Sequence, residues 1–327
     1  MARYILRRSG YMFVTLIFVA LIGFLIIELP PGSYLEFEIA RLRQLGGDMA
    51  PDQIRALEIR YGVNDPIYLK FWKWFSGFVR GDFGRSFEHR LPVSELLWER
   101  LGFTVLISVL TMIFSWVVSI IVGVYSATHR YTIPDYAITV LQFIGLSVPN
   151  FLLALVLMVF AQQVLGMEVG GLFSGAYRNA PWSLAKFVDL LKHLWIPILV
   201  IGASGTAWLS RVMRGNLLDV LNMQYVQTAR AKGLPERTVI WKHAVRNALH
   251  PLVMVLGMSL PGIISGETVV AIVLNMPTTG PLYFRALLQQ DMYLAVTFLM
   301  FLAVLLLIGN LLADILLAWL DPRIRFE

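Results

Sequence analysis

Candidate catalytic sites are few in this 327-residue sequence, judged by the types and spacing of its residues. No Gly-x-x-x-x-Gly-Lys-Ser/Thr sequence occurs, so the chain lacks the P-loop that cradles the phosphates of ATP. Cysteine is absent, no His-Glu-x-x-His pair occurs, and the five histidines are scattered over predicted loops and helix ends. The sequence therefore argues against metal catalysis and against ATP hydrolysis by this chain.

One serine has a sequence context known from hydrolysis inside membranes. The run Gly202-Ala203-Ser204-Gly205 resembles the Gly-x-Ser-Gly of rhomboid proteases, whose serine needs a histidine base from a late membrane helix. The last apolar run, Tyr293–Leu320, contains no histidine. Small residues also permit close packing of helices, which is the interpretation we prefer. A rhomboid-like intramembrane serine protease remains the alternative.

Apolar runs dominate the chain, which is 57% hydrophobic and 15% charged. Such a composition predicts an all-α membrane protein, since each run is long enough to cross a bilayer as a helix. Pro149 is expected to kink the third run, with Asn150 beside it to satisfy the carbonyls that the kink frees. The first run is long for a signal peptide and no small-x-small cleavage site follows it. Six spans are predicted: Ser9–Ile27, Leu101–Thr128, Tyr136–Met167, Leu194–Ser210, Pro251–Met276 and Tyr293–Leu320.

A charge-balanced insertion, residues 33–100, separates the first two predicted spans. Aromatic residues within it recur at a spacing of three to four, at Tyr68, Phe71, Trp72, Phe75 and Phe78. This spacing predicts a helix. It would lie either at the bilayer interface, where ring bodies are buried and polar edges stay wet, or within a small extracytoplasmic subdomain.

Positive charge is concentrated between the fourth and fifth predicted spans. Seven Lys and Arg residues within Arg211–Arg246 face only Asp219 and Glu236, and they account for much of the net charge of +6. Excess Lys and Arg in a short loop is typical of the cytoplasmic side of a membrane, so a nucleic-acid partner is not required. With six spans, both termini then lie in the cytoplasm too.

This basic loop contains a predicted short helix. Gln227–Lys232 favours a helix, Gly233 stands where a C-cap would sit, and Pro235 prevents continuation. Small side chains at Ala229 and Ala231 would let a partner groove approach closely. An ordinary solvated loop helix is the alternative.

The same loop resembles one known family. Thr228-Ala229-Arg230-Ala231-Lys232-Gly233-Leu234, followed by His243-Ala244-Val245-Arg246-Asn247-Ala248-Leu249-x-Pro251, is similar to the cytoplasmic coupling loop of ABC importer permeases of the dipeptide/oligopeptide branch. That family has Glu-Ala-Ala, three residues, then Gly; here Gln227 and Thr228 replace the Glu and the first Ala. The resemblance implies an ATPase-coupling role for Tyr225, Gln227, Thr228, Ala229, Arg230, Ala231, Lys232 and Gly233.

The resemblance further implies the type I ABC importer permease fold, with six transmembrane helices in a prokaryotic inner membrane. Its partners would be a second permease subunit in a heterodimer, two ATP-binding subunits and an extracytoplasmic solute-binding protein. This chain would then be no enzyme and hold no cofactor, because ATP is bound by its partners. The expected divisions are 1–32 (N-terminus and first span), 33–100 (insertion), 101–320 (five-helix core with coupling loop 211–250) and 321–327 (cytoplasmic tail).

Three polar residues are candidates for lining a translocation path. Glu267 lies inside the fifth predicted span, and an intramembrane carboxylate usually faces a cavity or a partner. Ser147 and Asn150 flank the kink in the third. The family usually has its Glu at the place of Ala271, one helical turn from Glu267, so an oligopeptide and an oligosaccharide both remain open as solutes. An ion-coupled secondary transporter would need more intramembrane charges than Glu267 and Asp314.

Overall fold

A computed structural model describes residues 2–29, 65–86, 88–289 and 291–320, and helices account for most of them. The predicted all-α fold class is confirmed. Residues 33–64 and 87 of the predicted insertion, the predicted tail 321–327 and the side chain of Glu267 lie outside the described residues. The helices are α1 (Ala2–Glu28), α2 (Ile67–Val79), α3 (Val93–Thr128), α4 (Ile133–Ser147), α5 (Asn150–Val164), α6 (Leu184–Leu221), α7 (Gln224–Ala231), α8 (His250–Val273), α9 (Thr279–Leu288) and α10 (Met292–Leu320).

Several of these helices are suited to a bilayer. Within the described ranges, three segments are long and apolar enough to cross it: Leu6–Ile26, Val93–Thr128 and Met292–Trp319. The pair α4 and α5 makes a fourth if the two count as one broken span. The fourth and fifth predicted spans correspond to α6 and α8, which are not among these segments. A multi-pass membrane protein is thus supported, while the count of six spans stays a prediction.

The predicted third span, Tyr136–Met167, is interrupted at Pro149 as expected, but it is broken into two helices rather than kinked. The axes of α4 and α5 meet at 108°. Val148 is extended, with φ −82° and ψ 123°, as expected for a residue whose helical conformation is disfavoured by the proline that follows. Pro149 has ψ 133°, so two successive residues leave the helical region and the chain changes direction.

The contacts that α4, α5 and the loop after them make with α6 nevertheless follow one direction along α6. Asp135, near the start of α4, bonds to Arg214 of α6, whereas Ser174, ten residues after the end of α5, bonds to Asp189. Contacts therefore move steadily towards the N-terminus of α6, which is how an antiparallel neighbour behaves. This order favours a broken span over a loop that returns to its side of entry. The pairs are Asp135–Arg214, Gln142–Ser210 and Ser174–Asp189.

Helix α6 is 38 residues long and extends beyond the predicted span at both ends. Its start is capped by Ser183, whose hydroxyl accepts the N–H of Lys186. The predicted packing role of the small residues in its middle is confirmed at Gly202, whose carbonyl accepts the hydroxyl of Ser115 on α3 at 3.3 Å. A Cβ on Gly202 would lie 2.9 Å from the ring of Phe114, so glycine is what permits this approach.

Contacts divide the chain into two compact units. The larger contains Arg100–Pro281, and with it the broken span, α6, the basic loop and α8. The smaller contains α1 from Arg7 onward, α2, the segment up to Glu99 and Leu282–Val304. In the smaller unit, the buried carboxylate of Asp291 accepts the hydroxyl of Ser86 just before α10 begins.

Candidate functional site

The predicted short helix of the basic loop is α7, and its end has the geometry that the sequence indicated. Gly233 has φ +74°, which confirms the predicted left-handed C-cap. The N–H of Gly233 bonds to the carbonyl of Arg230 at 2.9 Å, and the N–H of Leu234 bonds to that of Ala229 at 3.4 Å. These two bonds are those of a Schellman motif, which satisfies carbonyls at the helix end. The chain then turns at Pro235.

One face of α7 is packed against the protein itself. Val226 and Ala229 are 0% and 7% exposed, within one apolar cluster of the larger unit. Ala229 was expected to leave room for a partner, and here the structure corrects the prediction, because its small side chain faces its own chain. The cluster joins α7 to residues of α3, α6 and the segment before α8: Val124, Met213, Leu217, Val239, Ala244, Val245 and Ala248.

The segment 236–248 that covers this inner face is irregular. After the turn Glu236–Thr238, a π-helix runs over Val239–Ala244 and an α-helical turn over Val245–Ala248. A π-helix rotates the following side chains relative to an α-helix. Val239 and Ala244 both point into the cluster, and Trp241 between them is exposed. Sequence reasoning missed this segment, because its fit to α7 depends on tertiary packing.

The other face of α7 is open and mixed in character. Most of the predicted coupling residues lie there, and they are exposed: Tyr225, Gln227, Thr228, Ala231, Lys232 and Gly233. Large apolar side chains are exposed beside them at Met223, Leu234 and Trp241. Aromatic and aliphatic groups next to one lysine form a surface suited to docking by a protein groove. The structure thus brings the predicted residues together while dividing them between two faces.

Side-chain hydrogen bonds hold this surface in place. The Nδ2 of Asn247 donates to the hydroxyl of Tyr225 at 2.6 Å, and the Nε2 of Gln227 donates to the carbonyl of Leu221 at 3.0 Å. Arg230 donates through two nitrogens to the carboxylate of Glu236, at 2.7 and 3.2 Å. This hydrogen-bonded pair keeps the pKa of the Glu236 carboxyl below its ordinary value and raises the pKa of Arg230.

A second connection of α6 was not anticipated from the sequence. Asp135 is 1% exposed, and its carboxylate accepts Nη2 of Arg214 at 2.9 Å and the N–H of Tyr131 at 3.0 Å. Tyr131 itself has φ +65°, so the turn before α4 holds a strained residue beside this carboxylate. Asp135 in the first turn after Pro134 is the signal that could have been read, because acidic side chains favour helix N-termini.

The candidate path residues are only partly placed. Ser147 ends α4 and Asn150 begins α5, so both stand at the break; Ser147 is exposed and Asn150 is half-buried. No hydrogen bond joins the Asn150 side chain to a freed carbonyl within the described ranges, where the break is closed by backbone bonds to the carbonyl of Pro149. Glu267 belongs to α8, and its side chain is outside the described residues.

The arrangement around Ser204 does not support hydrolysis. The histidine on the same helix as Ser204 is His193. It is eleven residues away, which is about 16 Å along an α-helix. His193 contacts the carbonyl of Asp189 through Nδ1. Among the side chains that the structure describes, no three His, Cys, Asp or Glu residues converge as metal ligands.

Comparison with known proteins gives the family. Residues 119–326 match the binding-protein-dependent transport system inner membrane component, and residues 1–110 match the N-terminal model of such membrane components. An oligopeptide transport system permease protein of Bacillus subtilis is 37% identical over 328 residues, covering all of both chains. A glutathione transport system permease protein of Salmonella typhimurium is 30% identical, also over the whole of both chains. The chain therefore belongs to the inner membrane components of binding-protein-dependent transport systems, the permease subunits of ABC importers.

Proposed function

We propose that this permease subunit imports an oligopeptide-type solute and couples to cytoplasmic ATPases through the exposed face of α7. Support for the solute class comes from relatives named as oligopeptide, peptide and glutathione permeases, each covering the whole chain. From the sequence an oligosaccharide was nearly as well supported as a peptide, and no relative named here is described as an oligosaccharide permease. Glu267, Ser147 and Asn150 remain the proposed lining of the path.

The observation that carries the coupling proposal is the two-faced packing of α7. Its inner face belongs to the same cluster as α3 and α6, and its outer face presents Tyr225, Thr228 and Lys232 to the surroundings. A displacement of the outer face by an ATPase groove would therefore be passed to α6 by close-packed side chains. Two hydrogen-bonded pairs, Asp135–Arg214 and Gln142–Ser210, would then carry α4 along.

The break at Val148–Pro149 gives this movement a place to be absorbed. Its two residues lie outside both helices, so changes of φ and ψ there need not disturb either helix. In the proposed cycle, α4 follows the coupling loop while α5 tilts relative to it. The partners would be a second permease subunit, two ATPases and an extracytoplasmic solute-binding protein, with both termini of this chain in the cytoplasm.

Uptake by cells tests the solute class. Cells lacking this chain are compared with complemented cells for accumulation of a labelled pentapeptide and of labelled maltotriose. We expect loss of pentapeptide uptake and its restoration by the wild-type chain, with maltotriose unaffected. The converse pattern would assign an oligosaccharide. Glu267→Gln in the complementing chain should alter the peptide uptake kinetics at unchanged protein level if its carboxylate lines the path.

A further inference from the structure

Part of the apolar surface of helix α2 is not covered by the rest of the described protein. Its position along α1 indicates which surroundings it faces. The helix packs along α1 within the smaller unit. Phe71 and Trp74 lie 5.4 and 6.0 Å from the ring of Phe24, and Lys70 pairs with Glu28 at 2.5 Å. Trp74, Phe75 and Phe78 continue onto the cluster of Ala20, Val296 and Met300. One set of aromatic side chains therefore fixes α2 against the last turns of α1.

A neighbouring set of side chains has no such partner. Tyr68, Trp72 and Val79 are 72%, 64% and 70% exposed. With about 100° between successive residues, these three fall on one strip of α2, beside the strip that packs on α1. The polar residues Lys73, Ser76 and Arg80 follow on the flank of this strip that faces away from α1, with Arg80 as the C-cap residue. The apolar arc of α2 is thus wider than the surface that α1 covers.

The level of α2 along α1 is fixed by the same contacts. The apolar segment of α1 that is suited to the bilayer runs from Leu6 to Ile26. Contacts of α2 run from Glu28, just beyond this segment, to Ala20, six residues or about 9 Å inside it. A bilayer core about 30 Å thick that contains the Leu6–Ile26 segment must therefore end at the level of α2.

The face of α1 that is turned away from α2 is also apolar and uncovered. Phe18, Ile22 and Ile26 are exposed at a spacing of four on α1. They belong to its bilayer-crossing segment, where exposed apolar side chains meet lipid chains. Tyr68 and Trp72 are close in sequence to Lys70 and Phe71, which contact Glu28 and Phe24 at the end of this segment. Aromatic rings at this level are favoured at the bilayer interface. Lys73 and Arg80, on the polar side, can keep their charges in water or at headgroups.

We propose that Tyr68, Trp72 and Val79 insert into the lipid interface and that α2 is a lipid anchor within the insertion between α1 and α3. The occupant is the boundary of headgroups and acyl chains, rather than a protein. The inference rests on α1 crossing the bilayer and is independent of the solute that the importer carries. Lipid contact would fix α2, and through it the end of α1, at a set depth.

Site-directed spin labelling tests this directly, because the chain has no native cysteine. Single variants Tyr68→Cys, Trp72→Cys and Val79→Cys carry a nitroxide in the assembled importer, reconstituted in phosphatidylcholine/phosphatidylglycerol vesicles. Collision rates with oxygen, which concentrates in lipid, and with a water-soluble nickel chelate are measured. Phe18→Cys is the lipid reference, and Glu88→Cys is the aqueous reference. Lys73→Cys is the matched control, since it is exposed on the polar side of the same helix.

We expect the oxygen-to-nickel collision ratio at residues 68, 72 and 79 to approach that at Phe18 and to exceed that at Lys73 several-fold. Ratios equal to those at Lys73 and Glu88 would place the strip in water and overturn the proposal. Shielding from both reagents would show that a protein covers it, which also overturns the proposal. A water-like ratio at Phe18 itself would instead contradict the membrane placement of α1.

Discussion

Arg214 donates a hydrogen bond from Nη2 to the carboxylate of Asp135 across 2.9 Å, and this bond ties α6 to the first turn of α4. The carboxylate is almost fully buried, while the guanidinium is partly exposed, so the two partners are not equivalent. Removing the arginine leaves a buried carboxylate without this partner, whereas removing the carboxylate leaves a cation that still reaches solvent. The loss of either partner should therefore have different consequences.

Arg214→Gln should lower the free energy of unfolding by roughly 1–3 kcal/mol, and by more than Asp135→Asn does. The loss is smaller than for a fully buried pair because Arg214 is partly exposed. The double variant should be more stable than Arg214→Gln alone, since no charge is left unpaired. Thermal unfolding of the purified chain in detergent measures the relative stabilities of the three variants. Arg211→Gln is the control, because that guanidinium lies 5.2 Å over the ring of Phe143 and pairs with no carboxylate among the residues that the structure describes. Equal effects of all variants would contradict a specific role for the pair.

The carboxylate of Asp189 should make one loop sensitive to acid. Burial raises its pKa, but the hydroxyl and N–H of Ser174, at 2.5 and 2.8 Å, outweigh that effect and leave the pKa below its ordinary value. A lowered pKa means that the carboxylate stabilises the folded loop fully above the ordinary Asp pKa of about 3.9 and less as the pH falls below it. Asp189 precedes the predicted span Leu194–Ser210.

A nitroxide at Asn179→Cys, in the loop before α6, reports this attachment. Its spectrum should be immobilised at pH 7 and pH 5 and become progressively more mobile as the pH is lowered below the ordinary Asp pKa of about 3.9. Asp189→Ala should make it mobile already at pH 7. A label at Arg237→Cys, in the basic loop, shows whether the whole protein unfolds at the low pH. An immobilised label in Asp189→Ala at pH 7 would mean that other contacts hold the loop.

Local sequence determined some features of this protein, while others required the folded chain. The left-handed end of α7 follows from Gly233 and Pro235 alone, and it was predictable for that reason. The break at Pro149 was also readable, but its angle of 108° was not, because the packing of α5 on α6 decides it. The burial of Ala229 could not be predicted, because it depends on a π-helix that begins ten residues further on. The Asp135–Arg214 pair could not be predicted either, because its partners are 79 residues apart in the sequence.

The orientation of the chain is open to a labelling experiment. Six spans and the basic loop predict that Tyr177 lies outside the cell and Lys232 inside. Single cysteines at these positions should react accordingly with a membrane-impermeant maleimide in intact cells, and the absence of native cysteine removes background. Reaction at position 232 in intact cells, at the rate seen for position 177, would contradict the proposed topology.

Two large substitutions on opposite faces of α7 should separate folding from docking. Ala229→Trp forces an indole into a packed cluster, so it should lower stability by about 1–3 kcal/mol. Thr228→Trp adds the same group on the exposed face, where stability should change little and ATPase docking should weaken. Thermal unfolding and the amount of ATPase that co-purifies are measured for both. If Thr228→Trp retains its ATPases and transports normally, the exposed face of α7 is not the docking surface.

Gly233 allows a test in which only the backbone conformation changes. Its φ of +74° is strained for any residue with a Cβ, yet a Cβ placed there meets nothing within 4 Å. Gly233→Val should therefore cost roughly 1–2 kcal/mol through the Schellman turn, while Gly233→Asn, which tolerates this region better, should cost less.

Gly215 supplies the matched control for this substitution. It lies within α6, is exposed, and likewise has no atom within 4 Å of an added Cβ, but it lacks the positive φ. Gly215→Val should leave transport and ATPase retention near the wild-type values. Gly233→Val should reduce both while the protein still accumulates in the membrane, and Gly233→Asn should fall between. If Gly233→Val behaves like Gly215→Val, the left-handed turn after α7 is not needed to present the coupling surface.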